Sequence, residues 1–113
     1  MKLESRLTAD GRVAVLKLAG RFDAYEAEVV RDWFFNQLPD GPYRVVANLA
    51  EVIFIDSTGL AVLVDGLKRC RQRKGDLHLC SLSETVRVIF ELTRLDTAFA
   101  IFSEEAAAIS AHS

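Results

Sequence analysis

From Lys2 to Thr8 two sets of positions alternate, with Leu3, Ser5 and Leu7 on one side and Lys2, Glu4 and Arg6 on the other, the period of an exposed edge strand. Asp10-Gly11 separates this run from Val13-Ala14-Val15-Leu16-Lys17-Leu18, and Asp-Gly between two strand patterns predicts a hairpin with antiparallel strands. Gly20 to Ala24 reads as a turn. Ala27, Val30, Phe34 and Leu38 then recur at helical spacing, with Asp23 and Glu26 placed as a capping box. Trp33, Phe34 and Phe35 are consecutive, so they cannot all face inward on a helix, and at least one ring is expected to stay partly exposed. Pro39-Asp40-Gly41-Pro42 breaks the pattern as a loop.

Arg44 to Leu49 is mostly apolar, as a central parallel strand would be, and is expected to bend at Ala50-Glu51. The unbroken apolar run from Val52 to Ile55 predicts backbone covered on both sides. After Asp56-Ser57-Thr58-Gly59 the period changes, and Leu60, Leu63, Val64, Leu67 and Cys70 form one helical stripe from Thr58 to Lys74, with Gly75 as the stop. Asp76 to Leu82 alternates as a strand, Ser83 is placed to cap a helix bearing Val86, Ile89, Phe90 and Thr93, and Ala98 to Phe102 forms a last strand. Ser103-Glu104-Glu105 opens a final helix whose apolar face is thin enough to fray. Strands alternating with helices after an opening hairpin define an α/β layer fold. The expected sheet is mixed, antiparallel in its N-terminal hairpin and otherwise mainly parallel, with helices packed on it.

Half of the 113 residues are apolar and about a quarter charged, the composition of one folded soluble domain. A net charge of −2 lacks the basic excess of a nucleic-acid binder. Cys70 and Cys80 have no zinc or redox spacing and fit buried free thiols, the N-terminus has no signal-type core, and no apolar run is long enough to span a bilayer. A cytoplasmic protein with neither cofactor nor metal is expected. The five cations Lys68, Arg69, Arg71, Arg73 and Lys74 read as a solvated helix end, with docking of an acidic partner as the sharper alternative.

The chemistry of the chain concentrates where Ile55 hands over to a helix. Asp56, Ser57 and Thr58 sit where a helix has unpaired amide donors and carry short oxygens that suit that position, so Ser57 reads either as a helix cap or as a hydroxyl displayed at the positive end of the helix dipole. Such strand-to-helix turns gather at one rim of an α/β sheet, which places Asp23 on the same rim as Ser57. A serine hydrolase wants Gly-x-Ser-x-Gly and a histidine base, whereas Ser57 lies between Asp56 and Thr58. His78 is mid-strand and reads as structural, and His112 is in the tail. No P-loop or metal cluster is present in the pattern, so no catalytic residue is assigned.

The run Phe54-Ile55-Asp56-Ser57-Thr58-Gly59-Leu60-Ala61-Val62-Leu63 resembles the signature of the STAS domain, the module of bacterial anti-sigma factor antagonists. Leu18-Ala19-Gly20-Arg21-Phe22-Asp23-Ala24 is similar to that family's Gly-x-x-Asp turn, and Leu92-Thr93-Arg94-Leu95-Asp96 is a weaker third match. Together they span nearly the whole chain, so residues 1–113 are expected to form a single STAS domain. The resemblance implies an unmodified protein that binds an anti-sigma factor, itself an ATP-dependent serine kinase, and so frees a sigma factor. Phosphorylation of Ser57 would end the interaction and a metal-dependent serine phosphatase would restore it. Asp23 and Asp56 would flank the phosphoacceptor, while Thr58 and Gly59 shape the partner-binding turn, Gly59 allowing close approach of a partner backbone. Physically, a phosphate there adds about −1.5 to −2 charges to a rim that a partner must bury. The alternative is a STAS scaffold or regulatory module of a larger signalling or transport complex that does not act on sigma.

Three positions depart from the family pattern: Asn48 where an acid is frequent, Ala61 where a second glycine is common, and Arg94 where glycine is common. Ala61 suits a helix interior, whereas Arg94 is expected to be strained if its turn needs a positive φ.

Overall fold

The computed structural model describes residues 1–38 and 43–112, so the expected loop at Pro39-Asp40-Gly41-Pro42 lies outside the described residues. Strand β1 (Lys2–Leu7) pairs antiparallel with β2 (Ala14–Phe22), and β2, β3 (Arg44–Ile55), β4 (Asp76–Cys80) and β5 (Ala100–Phe102) pair parallel in sequence order, giving one five-stranded mixed sheet. The hairpin and the parallel remainder are as the alternation predicts. Helices α1 (Ala27–Asp32), α2 (Ser57–Gln72) and α3 (Glu84–Leu92) cover one face, where Val30, Phe34, Leu63, Leu67, Val86 and Phe90 meet Leu16, Leu18, Val45, Ala47, Leu77 and Leu79. Helix α4 (Glu105–Ser110) lies on the other face, over Val15, Val46 and Cys80.

Several boundaries differ from the expected ones for reasons that lie in the pairing. β2 does not turn at Gly20. It runs on to Phe22, with Gly20 at φ 104 inside the strand, because β3 continues alongside it. β3 in turn is unbroken, and the expected bend at Ala50-Glu51 is a bulge. Between the pairs Lys17↔Asn48 and Ala19↔Glu51, β3 uses one residue more than β2, and it does so again between Gly20↔Val52 and Arg21↔Phe54. The second bulge turns Ile53 outward, so the stretch Val52 to Ile55 is not covered on both sides: Ile53 is 67% exposed while Val52 and Ile55 are buried. β4 pairs with β3 only up to Asn48↔Cys80, and beyond that point Ser83 reaches the strand, its hydroxyl donating to the Val52 carbonyl at 3.4 Å. β4 itself stops at Cys80, and its residues Leu77 to Cys80 are all buried because α4 seals the face that alternation alone would leave open.

Helix α1 is a single short α segment that widens into a π turn over Trp33–Gln37. The wider turn buries both Trp33 and Phe34 and leaves Phe35 as the exposed ring, at 41%. The last strand starts at Ala100, not Ala98, because Leu95–Thr97 forms a tight 3-10 turn.

α2 begins at Ser57 and ends at Gln72, and its stop is built differently from the expected one. Lys74 takes the left-handed backbone at φ 64. Gly75 is needed for space, since a Cβ there would lie 1.8 Å from the Tyr43 carbonyl oxygen. Arg94 is left-handed too, at φ 63, the conformation expected to strain it. A side chain in that region costs ~1–2 kcal/mol, part of which glycine's extra freedom in the unfolded chain would cancel. Arg94→Gly is therefore expected to raise the melting temperature by about 2–5 °C. A lower melting temperature in a thermal scan would show that Arg94 makes a compensating contact.

Candidate functional site

Because α2 follows directly on β3, and α1 on β2, the two strand-to-helix turns lie side by side at the carboxyl end of the sheet. The Asp56 amide donates to the Phe22 carbonyl at 3.2 Å. Asp56 then ties the turns together with both carboxylate oxygens: Oδ1 accepts from the Gly59 amide at 3.0 Å and Oδ2 from the Ala24 amide at 3.1 Å. Asp56 is thus the residue that caps α2, in extended conformation at ψ −175, and Ser57 is the first residue of the helix proper.

This division of labour decides what Ser57 can do. A capping serine would have its oxygen committed to a backbone amide, but here Asp56 holds that place. Ser57 is exposed, and Thr58 beside it is half-buried. Their amides belong to the first turn, whose donors have no carbonyl four residues earlier, so the hydroxyl stands at the positive end of a 16-residue helix.

Asp23 performs the matching task in the neighbouring turn. Its Oδ1 accepts from the amides of Tyr25 at 3.1 Å and Glu26 at 3.2 Å, and its Oδ2 pairs with Arg21 Nε at 3.3 Å. Only half of the expected capping box forms. The Glu26 carboxylate reaches the Met1 amino group at 2.9 Å, not the amide of Asp23. Gly59 is buried, and the close approach expected of it is made within the chain. A Cβ at this position would fall 2.4 Å from the Phe22 carbonyl oxygen and 2.9 Å from Ile55 Cγ1, so glycine lets α2 start against β2.

The structure also adds residues to this rim that the periodicity did not single out. Tyr25 lies in the turn held by Asp23 and is 94% exposed. Arg21 stacks its guanidinium 4.3 Å from the centre of the Phe54 ring, beside the outward Ile53. An aromatic two residues before a helix, in a turn otherwise made of Asp23, Ala24 and Glu26, was the available signal for Tyr25. Arg21 and Phe54 become neighbours only through the bulge in β3.

Elsewhere the titratable groups are built into the fold. Burial pushes the Cys70 thiol up to about 12, with Asp76 adding to the effect, and burial likewise raises Cys80. His78 is buried, with Nδ1 3.0 Å from the Ala108 carbonyl oxygen. Asn48 donates from Nδ2 to Glu105 Oε1 at 3.2 Å, a bond that an acid at this position would replace with repulsion. Ala61 is exposed on α2 and meets no strain. No helix among the described residues is long and apolar enough to cross a membrane.

Residues 5–108 match the STAS domain family, and the chain belongs to that family. It is 31% identical over 80 residues to an anti-sigma-B factor antagonist of Staphylococcus epidermidis, covering 71% of this chain and 74% of the relative. Among solved structures, an anti-sigma-factor antagonist (STAS) domain protein from Planctomyces limnophilus superposes with a TM-score of 0.84 at 24% identity, over 97% of each chain. The anti-sigma factor antagonist SpoIIAA superposes in its unphosphorylated form with a TM-score of 0.80 at 21% identity, covering 96% of this chain and 93% of that one. The phosphorylated form of SpoIIAA, from Bacillus, gives a TM-score of 0.74 at 20% identity, covering 96% of this chain and 97% of that one.

Proposed function

We propose that this protein, as a single STAS domain, is an anti-sigma factor antagonist whose docking rim carries Ser57 as a phosphoacceptor. The observation that carries the reading is the exposed Ser57 hydroxyl at the start of α2, left unused by the fold because Asp56 makes the cap. In the unmodified state the rim offers Ser57 and Thr58 with Tyr25 and Ile53 beside them, and a partner can cover it at little cost in desolvation. The partner is an anti-sigma factor that is also an ATP-dependent serine kinase, and its capture releases a sigma factor.

Phosphorylation reverses this. The modified Ser57 would bring about −1.5 to −2 charges next to Asp23 and Asp56, with Arg21 already engaged by Asp23. First-turn amides and the helix dipole can hold the phosphate locally, so the fold survives. A partner covering the rim would have to bury the added charge, and binding ends. A metal-dependent serine phosphatase would return the protein to its binding form. The names of the relatives support the class of function, and the existence of SpoIIAA in both phosphorylation states supports the kind of switch.

Incubation with anti-sigma factor kinases and ATP is expected to add one phosphate, mapped by mass spectrometry to Ser57 and lost in Ser57→Ala. Failure of every such kinase to modify the protein would overturn the reading in favour of a scaffold that does not act on sigma.

A further inference from the structure

The sheet face opposite α1, α2 and α3 is covered by one short helix. α4 spans only Glu105–Ser110, too short to be stable alone, and its apolar grip consists of Ala108 and Ile109 on Val13, Val15, Val46, Cys80 and Phe102. Its fastening is therefore largely polar, and it differs at the two ends. At the front, Glu105 accepts from Arg6 Nη2 at 2.7 Å and from Asn48 Nδ2 at 3.2 Å. At the back, two imidazoles stack with centroids 3.7 Å apart and planes 9° from parallel. His78 Nδ1 lies 3.0 Å from the Ala108 carbonyl oxygen, and His112 Nε2 lies 2.9 Å from the Val45 carbonyl oxygen. A carbonyl oxygen only accepts, so each neutral ring carries its proton on that nitrogen.

We propose that residues 105–112 form a flap that opens on acidification, with the stacked pair His78 and His112 as its latch and the apolar strip Val13, Val15, Val46, Cys80 and Phe102 as the surface it uncovers. None of these residues belongs to the Ser57 rim, so the inference stands apart from the function proposed above.

The latch is sensitive because an added proton places a cation against the face of a second imidazole. Asp76 Oδ2, 3.5 Å from His78 Nε2, can offset one such charge, while Arg44 opposes a charge on His112. Asp10 and Arg12, in the turn between β1 and β2, line the hollow next to His112, and Asp10 is already bonded to Thr8 and to the Arg12 amide. Glu105, on α4 itself, is held by Arg6. His112 is kept below the ordinary histidine value, first by burial and then by His78 and Arg44, with the Val45 carbonyl and Asp76 working the other way.

The closed flap accordingly binds fewer protons than the released one. It holds above about pH 6.5 and loosens as the pH falls below that value. One proton taken up on opening shifts the balance by at most about tenfold per pH unit, or roughly 30-fold between pH 6.5 and 5.

The two cysteines report the motion. Cys80 lies under α4, whereas Cys70 is sealed in the main core on the other side of the sheet. The protein is treated with 4,4′-dithiodipyridine, which stays reactive towards thiols in acid, and each site is followed by peptide mass mapping. The Cys80 to Cys70 rate ratio is expected to rise about tenfold or more from pH 7.5 to pH 5 and to stay flat in His112→Gln, whose amide keeps the donor without the charge. His112→Phe, which keeps the stacked ring, serves if that variant does not fold. An unchanged ratio in the wild type, a parallel rise of both thiols, or the same rise in the folded variant would overturn the proposal.

Discussion

Ser57→Asp is expected to weaken binding of an anti-sigma factor kinase by about a hundredfold or more while moving the melting temperature by no more than about 2 °C. The two effects separate because they concern different states of the rim. In the free protein residue 57 is exposed at the first position of α2, where a carboxylate gains about 0.3–1 kcal/mol from the helix dipole and loses a similar amount beside Asp23 and Asp56. In the complex the same carboxylate must leave water without a cation waiting, since Arg21 is taken by Asp23. A penalty of about 3 kcal/mol corresponds to a factor of about 100 in affinity. Calorimetric titration and a thermal scan on the same preparation check both halves. Retained binding would count against the rim as the docking surface, and a large drop in melting temperature would mean that Ser57 has a structural task.

Gly59→Ala is expected to do the reverse, damaging the fold first and binding only as a consequence. The added methyl would sit 2.4 Å from the Phe22 carbonyl oxygen, a backbone atom that cannot swing aside, and that same oxygen accepts from the Asp56 amide. α2 would have to lift away from β2, breaking the joint that sets Asp56 against Ala24. Overpacking of this kind costs about 3 kcal/mol, equivalent to a fall in melting temperature of about 10 °C or more. Ala61→Gly, two residues further on and exposed, should cost only about 0.5–1 kcal/mol, which sets the scale of an ordinary helix glycine. A melting temperature for Gly59→Ala close to that of the wild type would show that the two turns are not packed as tightly as described.

Much of this arrangement was legible in the chain because local rules carried it. The Asp-Gly hairpin, the apolar run of Arg44 to Leu49, the stripe of α2 and the serine cap of α3 each depend on spacing within one element, and each stands where the pattern put it. The adjacency of Asp23 and Ser57 followed from topology alone, once consecutive parallel strands were assumed to be neighbours. What was missed depends on contacts between elements. The bulges of β3 exist only relative to β2, so Ile53 read as buried when it faces outward. Lys74 takes the left-handed turn while Gly75 is held in place by lack of space against Tyr43, and no sequence window contains that collision. At Ser57 a capping reading and a displayed-hydroxyl reading were both open on spacing alone, until the Gly59 and Ala24 amides took the two carboxylate oxygens of Asp56. That choice leaves the serine hydroxyl unengaged by the cap.

The most direct test compares one protein in two states. An anti-sigma factor kinase is titrated with this chain before and after stoichiometric phosphorylation of Ser57, with identical melting curves required of both samples. Saturable binding by the unmodified protein, lowered at least a hundredfold by the phosphate, is the predicted result. Equal affinity of the two forms would contradict it.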